Sequence, residues 1–367
     1  MQEFGFDIVK GFDASAPDVW TYIKSADKPI LMYGTGNGAD KILDVFEKYD
    51  IRVAEIFTSD DFFRPKEFRG YALKSYSDIC KAYPEGIVVL AFAIFRDDML
   101  TRIKEISKQY EVLAPEVPVF GTDYFSKETL KEYAKQIKET YSLLADEKSK
   151  QVFADALNYR LTGKLAPLFA AETDREEVFE NIIKLGAEET YLDLGAYRGD
   201  TIEEFLTQTD GKCNGIIALE PDAKNYKKLS EYVDTLEIKD KISLYNMASW
   251  DSRKVMTFDG GGGRNSALGE GKYTVHGTDV DSLLTSLDNE TIPTYVKMDV
   301  EGAEHETING MKVLLSTHKP KLIVSAYHRT GDVFTLPLLI KSINPEYKIY
   351  LRHHPYIPDW ETNYYCV

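Results

Sequence analysis

Apolar residues in this chain fall into two alternating arrangements. Short runs such as Ile30-Leu31-Met32-Tyr33, Ile87-Val88-Val89-Leu90, Ile216-Ile217-Ala218-Leu219 and Leu322-Ile323-Val324 are nearly unbroken. Between them lie stretches with apolar residues three and four apart: Ile42, Leu43, Val45 and Phe46; Ile202, Phe205 and Leu206; Ile308, Met311, Leu314 and Leu315. The first arrangement predicts buried strands and the second amphipathic helices. Their alternation predicts an α/β protein with parallel sheets. The pattern runs once through residues 1–125 and again through 176–367. Residues 126–175 read as helix throughout: Leu130, Tyr133, Ile137, Tyr141 and Leu144, a break at Asp146–Ser149, then Val152 to Leu161 and a stop at Gly163. This stretch lacks the glycine and serine of a flexible linker, so it reads as a helical bridge. Its aromatic stripe predicts packing, on either domain or on a second copy of the chain.

Chemistry is legible where the strands end. Thr190–Thr201 reads T-Y-L-D-L-G-A-Y-R-G-D-T. A strand carries Asp193 near its tip, Gly195 and Gly199 flank a tight turn, and Asp200 and Thr201 open a helix. Glycine suits backbone that takes positive φ or lies against a ligand, and the helix start offers free N–H groups. About 20 residues on, the next strand ends in Glu220, at the spacing of a ribose-binding acid. Residues 295–304 read Y-V-K-M-D-V-E-G-A-E. Asp299 and Glu301 there suit the positive end of a helix dipole, but that does not explain acid on both sides of the turn. Ligands of open α/β sheets sit beyond such tips.

Together, D-L-G-A-Y-R-G-D-T, A-L-E-P-D and V-K-M-D-V-E-G-A-E resemble the FkbM-type methyltransferases of the class I S-adenosylmethionine-dependent fold. The resemblance covers roughly residues 176–350. It implies a seven-stranded sheet whose last strand is antiparallel, and an S-adenosyl-L-methionine cofactor laid across the first three strand tips. By position, Asp193, Gly195, Gly199, Asp200 and Thr201 would form the cofactor turn, Glu220 would accept the ribose hydroxyls, and Asn246 and Ala248 would border the adenine. Asp299 would face the reacting methyl, with Glu301 and Glu304 completing the run; Glu304 could equally face solvent. His328, in S-A-Y-H after the next strand, is a base candidate, although a lone histidine is more often structural. The implied activity is O-methylation of a hydroxyl on a saccharide or natural product.

The first domain reads as Rossmann-like. Its turn is G-x-G-x-G (Gly34, Gly36, Gly38) rather than G-x-G-x-x-G. An NAD(P) or nucleotide-sugar site there, with Asp60 or Asp61 on the ribose, is the rival enzyme reading. A catalytically idle binding protein with the same fold is the third. Asp259–Lys272 carries six glycines and reads either as a passive hairpin loop or as a lid, with Arg264, Asn265 and Ser266 touching the acceptor. Tyr356, Trp360 and Tyr364 could stack on a sugar face or cap the sheet edge.

Composition narrows the partners. The 367 residues allow about two domains. A net charge of −16 opposes binding to nucleic acid. Three scattered cysteines, Cys80, Cys213 and Cys366, predict a reducing compartment without a disulfide framework. The start has no basic, then apolar, signal segment, and no run is long enough for a bilayer. A cytoplasmic protein with a small-molecule partner and no membrane is expected. No H-x-x-H, C-x-x-C or EF-hand spacing occurs, so no metal is expected, though Asp299 with Glu301 could offer a divalent ion two carboxylates.

Overall fold

Strands β1 (Ile30–Tyr33) and β6 (Ile87–Leu90) are buried at every position. Parallel strands covered on both faces need no polar alternation, which is why their sequences read as unbroken apolar runs. The computed structural model describes residues 5–258, 273–287 and 291–367. The glycine-rich segment with Arg264, Asn265 and Ser266 lies outside the described residues. The chain forms two compact units. The first takes in the chain up to Tyr141, Glu147–Thr173 and His353–Glu361; the second comprises Ser142–Asp146, Asp174–Arg352 and Thr362–Val367.

In the first unit, β2 (Glu55–Thr58), β5 (Lys74–Ser75) and β7 (Glu111–Leu113) join β1 and β6 in the order β5-β2-β1-β6-β7, all parallel. A two-stranded hairpin, β3 (Glu67–Phe68) with β4 (Tyr71–Ala72), precedes β5. Several groups at the carboxyl tips are engaged within the protein, although an added Cβ on Gly36 would meet nothing within 4 Å. A Cβ on Gly34 would fall 2.4 Å from the Phe92 ring, so packing accounts for that glycine without a nucleotide. Asp60 accepts hydrogen bonds from the Ser77 amide and hydroxyl at 3.0 and 2.8 Å, and Asp61 pairs with Arg102 at 3.0 Å. Tyr356 is buried and its ring lies 5.6 Å from Phe95 and 5.8 Å from Trp360.

The segment 126–175 is helical as expected, in pieces: Lys127–Glu132, Ala134–Leu143, Glu147–Thr162 and Leu165–Ala171. Gly163 ends the longest of them at φ 65°. These helices belong mainly to the first unit, while Ser142–Asp146 belongs to the second.

The second unit holds a seven-stranded sheet. Its strands are β8 (Thr190–Leu194), β9 (Gly215–Leu219), β10 (Ile242–Tyr245), β14 (Tyr295–Met298), β15 (Lys321–Ser325), β16 (Ile349–His353) and β17 (Thr362–Cys366). They lie in the order β10-β9-β8-β14-β15-β17-β16. The first five are parallel and β17 runs antiparallel to β15. Chain order reverses between β8 and β14, the place where open sheets leave a crevice for ligands. Tyr364, an aromatic that could have met a sugar, is instead buried in β17 and donates its hydroxyl to the Val333 carbonyl at 2.5 Å. The excursion between β10 and β14 forms a second sheet. In it β11 (Ala248–Ser249) pairs parallel with β13 (Tyr273–Thr278), and β12 (Lys254–Phe258) pairs antiparallel with it. No helix among the described residues is long and apolar enough to cross a membrane.

Candidate active site

The glycine turn and the acidic run meet at the reversal point. Gly195 follows β8 with φ 87°, and a Cβ on it would lie 1.9 Å from the Asp299 carbonyl oxygen. Only glycine lets this turn rest on the end of β14. Gly199, at φ 97°, then starts helix Asp200–Gln208. The Thr201 hydroxyl donates to Asp193 Oδ2 at 2.5 Å, while Asp193 Oδ1 is buried without a partner. Burial pushes the Asp193 carboxyl up to about 6, against the pull of Lys297, its register partner on β14. Asp200 is exposed on the first turn.

Glu220 closes the same edge. Its Oε2 accepts from the Tyr197 amide at 2.9 Å and its Oε1 from the Asp222 amide at 2.8 Å. The carboxyl therefore ties the tip of β9 to the glycine turn. Burial raises its pKa to about 8 despite these two N–H donors. Each oxygen retains acceptor capacity for a ligand hydroxyl. Asn246 is exposed, and its amide nitrogen donates to the Glu220 and Pro221 carbonyls at 2.8 and 3.1 Å. Its NH₂ group is thus spent on bracing the Glu220 tip. Ala248 is buried in β11 with Val275, and Met256 packs against them.

Across the crevice, four groups converge from two strand tips. His328 follows β15, is 1% exposed, and bonds through Nδ1 to Glu304 Oε1 at 2.8 Å. Its Nε2 lies 3.3 Å from Asp299 Oδ1 and 3.5 Å from Glu301 Oε2. Glu304 does not face solvent. It is 1% exposed and also accepts from the Val300 amide at 3.1 Å. Glu301 adopts φ 53°, left-handed for a residue with a side chain, and Gly302 follows at φ 95°. This reversal carries the Glu301 carboxylate back toward His328. Lys297 Nζ lies 3.6 Å from Asp299 Oδ2, and the Tyr327 hydroxyl lies 3.4 Å from both Asp299 oxygens.

The electrostatics follow from this packing. Burial alone would raise Asp299 and lower His328. Lys297 and His328 overcome that for Asp299, holding it well below the usual carboxylate range. Glu304 and Asp299 overcome it for His328, which is held as the imidazolium well above its ordinary value. Glu301 is pushed up to about 8, first by burial, although His328 opposes the shift.

Residues 193–356 match the Methyltransferase FkbM domain family. A crystal structure of a methyltransferase FkbM from Methylobacillus flagellatus KT matches with a TM-score of 0.72 and 20% identity, covering 100% of this chain and 96% of that one. At that identity the likeness speaks for the fold. A precorrin-6y C5,15-methyltransferase from Geobacter metallireducens GS-15 matches at 11% identity over 53% of this chain and 88% of its own, with a TM-score of 0.34. No curated protein matches the chain.

Several residues of this cluster are not apparent from the sequence alone. Lys297 was legible: two residues before Asp299 on a strand, it shares that residue's face. Tyr327 and the buried role of Glu304 had no local signal. Nor did His305, whose Nε2 lies 2.8 Å from the Thr335 hydroxyl and 3.6 Å from Asp332 Oδ1. Asp332 is buried, and that burial pushes its carboxyl up to about 7.

Proposed function

We propose that the FkbM domain is an S-adenosylmethionine-dependent O-methyltransferase acting on a hydroxyl of a saccharide or natural-product acceptor. The observation that carries this is the contact of Gly195 with the Asp299 carbonyl. It sets an adenosine-type edge (Asp193, the glycine turn, Glu220) directly beside a proton-handling cluster. The residues fit the cofactor: Asp193 Oδ1 is a buried acceptor without a partner, and Glu220 has lone pairs left for a diol. Bound S-adenosylmethionine would supply a methyl group already activated on sulfur.

The protein's part is alignment and charge. Displacement at the methyl needs the acceptor oxygen held in line. Asp299 keeps its negative charge at the crevice, which favours a cationic neighbour. His328 Nε2, between the Asp299 and Glu301 carboxylates, marks the place where the acceptor's proton would leave. Glu304 is a positioning residue: its bond to Nδ1 fixes the ring so that Nε2 faces the other two carboxylates. The nucleotide reading of the first unit draws no support from its tips, where Asp60 and Asp61 are already engaged.

Titrating the full chain with S-adenosylhomocysteine, NAD and a nucleotide-sugar tests this. Binding of the sulfur ligand alone is expected. Glu220→Ala should weaken it by about 1–3 kcal/mol through loss of charge-assisted ribose bonds. A diol donates to the ionised carboxylate, and Glu220 ionises near 8. Affinity should therefore climb as pH rises through that value, then level off. NAD binding with no affinity for the sulfur ligand would remove the proposal, and a flat pH profile would remove Glu220 from the ribose.

A further inference from the structure

We infer that Asp299, Glu301 and His328 bind one divalent cation of the Mn²⁺ class, which takes the acceptor's hydroxyl oxygen as a further ligand. This rests on the reading that a hydroxyl is methylated at this cluster. One oxygen from each carboxylate and one imidazole nitrogen lie within 4.8 Å of one another. His328 Nε2 is 3.3 Å from Asp299 and 3.5 Å from Glu301. An octahedral ion with bonds of about 2.1 Å has neighbouring ligands about 3 Å apart. Small side-chain adjustments therefore suffice. Two carboxylates with one imidazole suit first-row divalent ions such as Mn²⁺.

Two further features point the same way. Metal-binding histidines usually carry a carboxylate on their other nitrogen, and Glu304 occupies that place on Nδ1 at 2.8 Å. The second Glu304 oxygen, Oε2, is buried with no hydrogen-bond partner. Three carboxyl groups thus crowd one imidazole, an oxygen-rich donor set of the kind that suits a divalent cation. Three protein ligands leave positions open for the acceptor oxygen and water. A hydroxyl ligated there loses its proton to bulk water more readily, keeping the O–H electron pair for attack on the methyl carbon. In the loaded site His328 is a ligand, and the cation replaces the proton on Nε2.

The test is titration of the chelator-treated full chain with Mn²⁺, followed by electron paramagnetic resonance, beside an S-adenosylhomocysteine titration of the same samples. One ion per chain is expected. Glu301→Gln should weaken Mn²⁺ binding roughly tenfold or more, and Glu304→Gln by roughly tenfold, without changing the thermal midpoint by more than a few degrees. No retained Mn²⁺, or wild-type affinity for Mn²⁺ in both variants, overturns the cation site. Full methyl transfer by metal-free chain also overturns it while leaving the methyltransferase reading intact. Retained Mn²⁺ with no binding of S-adenosylhomocysteine supports the cation site and overturns the cofactor reading instead.

Discussion

Asp299→Asn is expected to lower turnover roughly 10²–10³-fold, the usual effect of losing one preorganised charged group at a reacting centre. Asparagine keeps the shape, so the turn on β14 and its contact with Gly195 should persist. What goes is the charge that faces the crevice, Lys297 and His328. Stability should fall too, but less. A carboxyl held below its ordinary value stabilises the fold above the unfolded-state pKa, and that contribution is lost as pH falls through the folded value. Asp299 is 27% exposed at the side chain, so a cost of about 1–2 kcal/mol at neutral pH is reasonable. Measuring turnover on an accepted hydroxyl compound, with a thermal melt of the same sample, separates the two effects. Near-normal turnover would reduce Asp299 to a residue that opens the following helix.

Gly195→Ala should have the largest effect on folding and on the cofactor edge together. Its φ of 87° costs an L-residue about 1–2 kcal/mol. The added methyl would meet backbone, the Asp299 carbonyl at 1.9 Å, which cannot rotate away as a side chain can. Displacing it adds about 1–3 kcal/mol. Urea unfolding should therefore show a loss of about 2–5 kcal/mol, and affinity for S-adenosylhomocysteine should collapse as the turn lifts from β14. If the alanine variant unfolds at the wild-type midpoint, the two motifs do not touch as described.

Local spacing determined most of the architecture of this chain. Apolar runs and three-four periodicity are short-range signals, because strands covered on both faces and helices covered on one leave direct marks on neighbouring residues. The strands of both parallel sheets and the helical character of residues 127–171 follow from those marks. So does the place of Asp193, Gly195, Glu220 and Asp299, since each stands at the end of a run. Tertiary structure decided what those tips do. Glu304 and His328 are 24 residues apart and meet only because β14 and β15 pair in one register. The same holds for Asp193 and Lys297, brought opposite each other by the pairing of β8 with β14. Asn246 and Glu220 show the limit from the other side: both look free in sequence, and the fold commits Asn246's amide nitrogen to two carbonyls and gives each Glu220 oxygen a backbone N–H. Burial adds a second decision that composition cannot carry. Glu304 and His328 are among the least exposed groups in the domain, and it is low-dielectric packing against Glu304 and Asp299, rather than residue type, that holds His328 as the imidazolium.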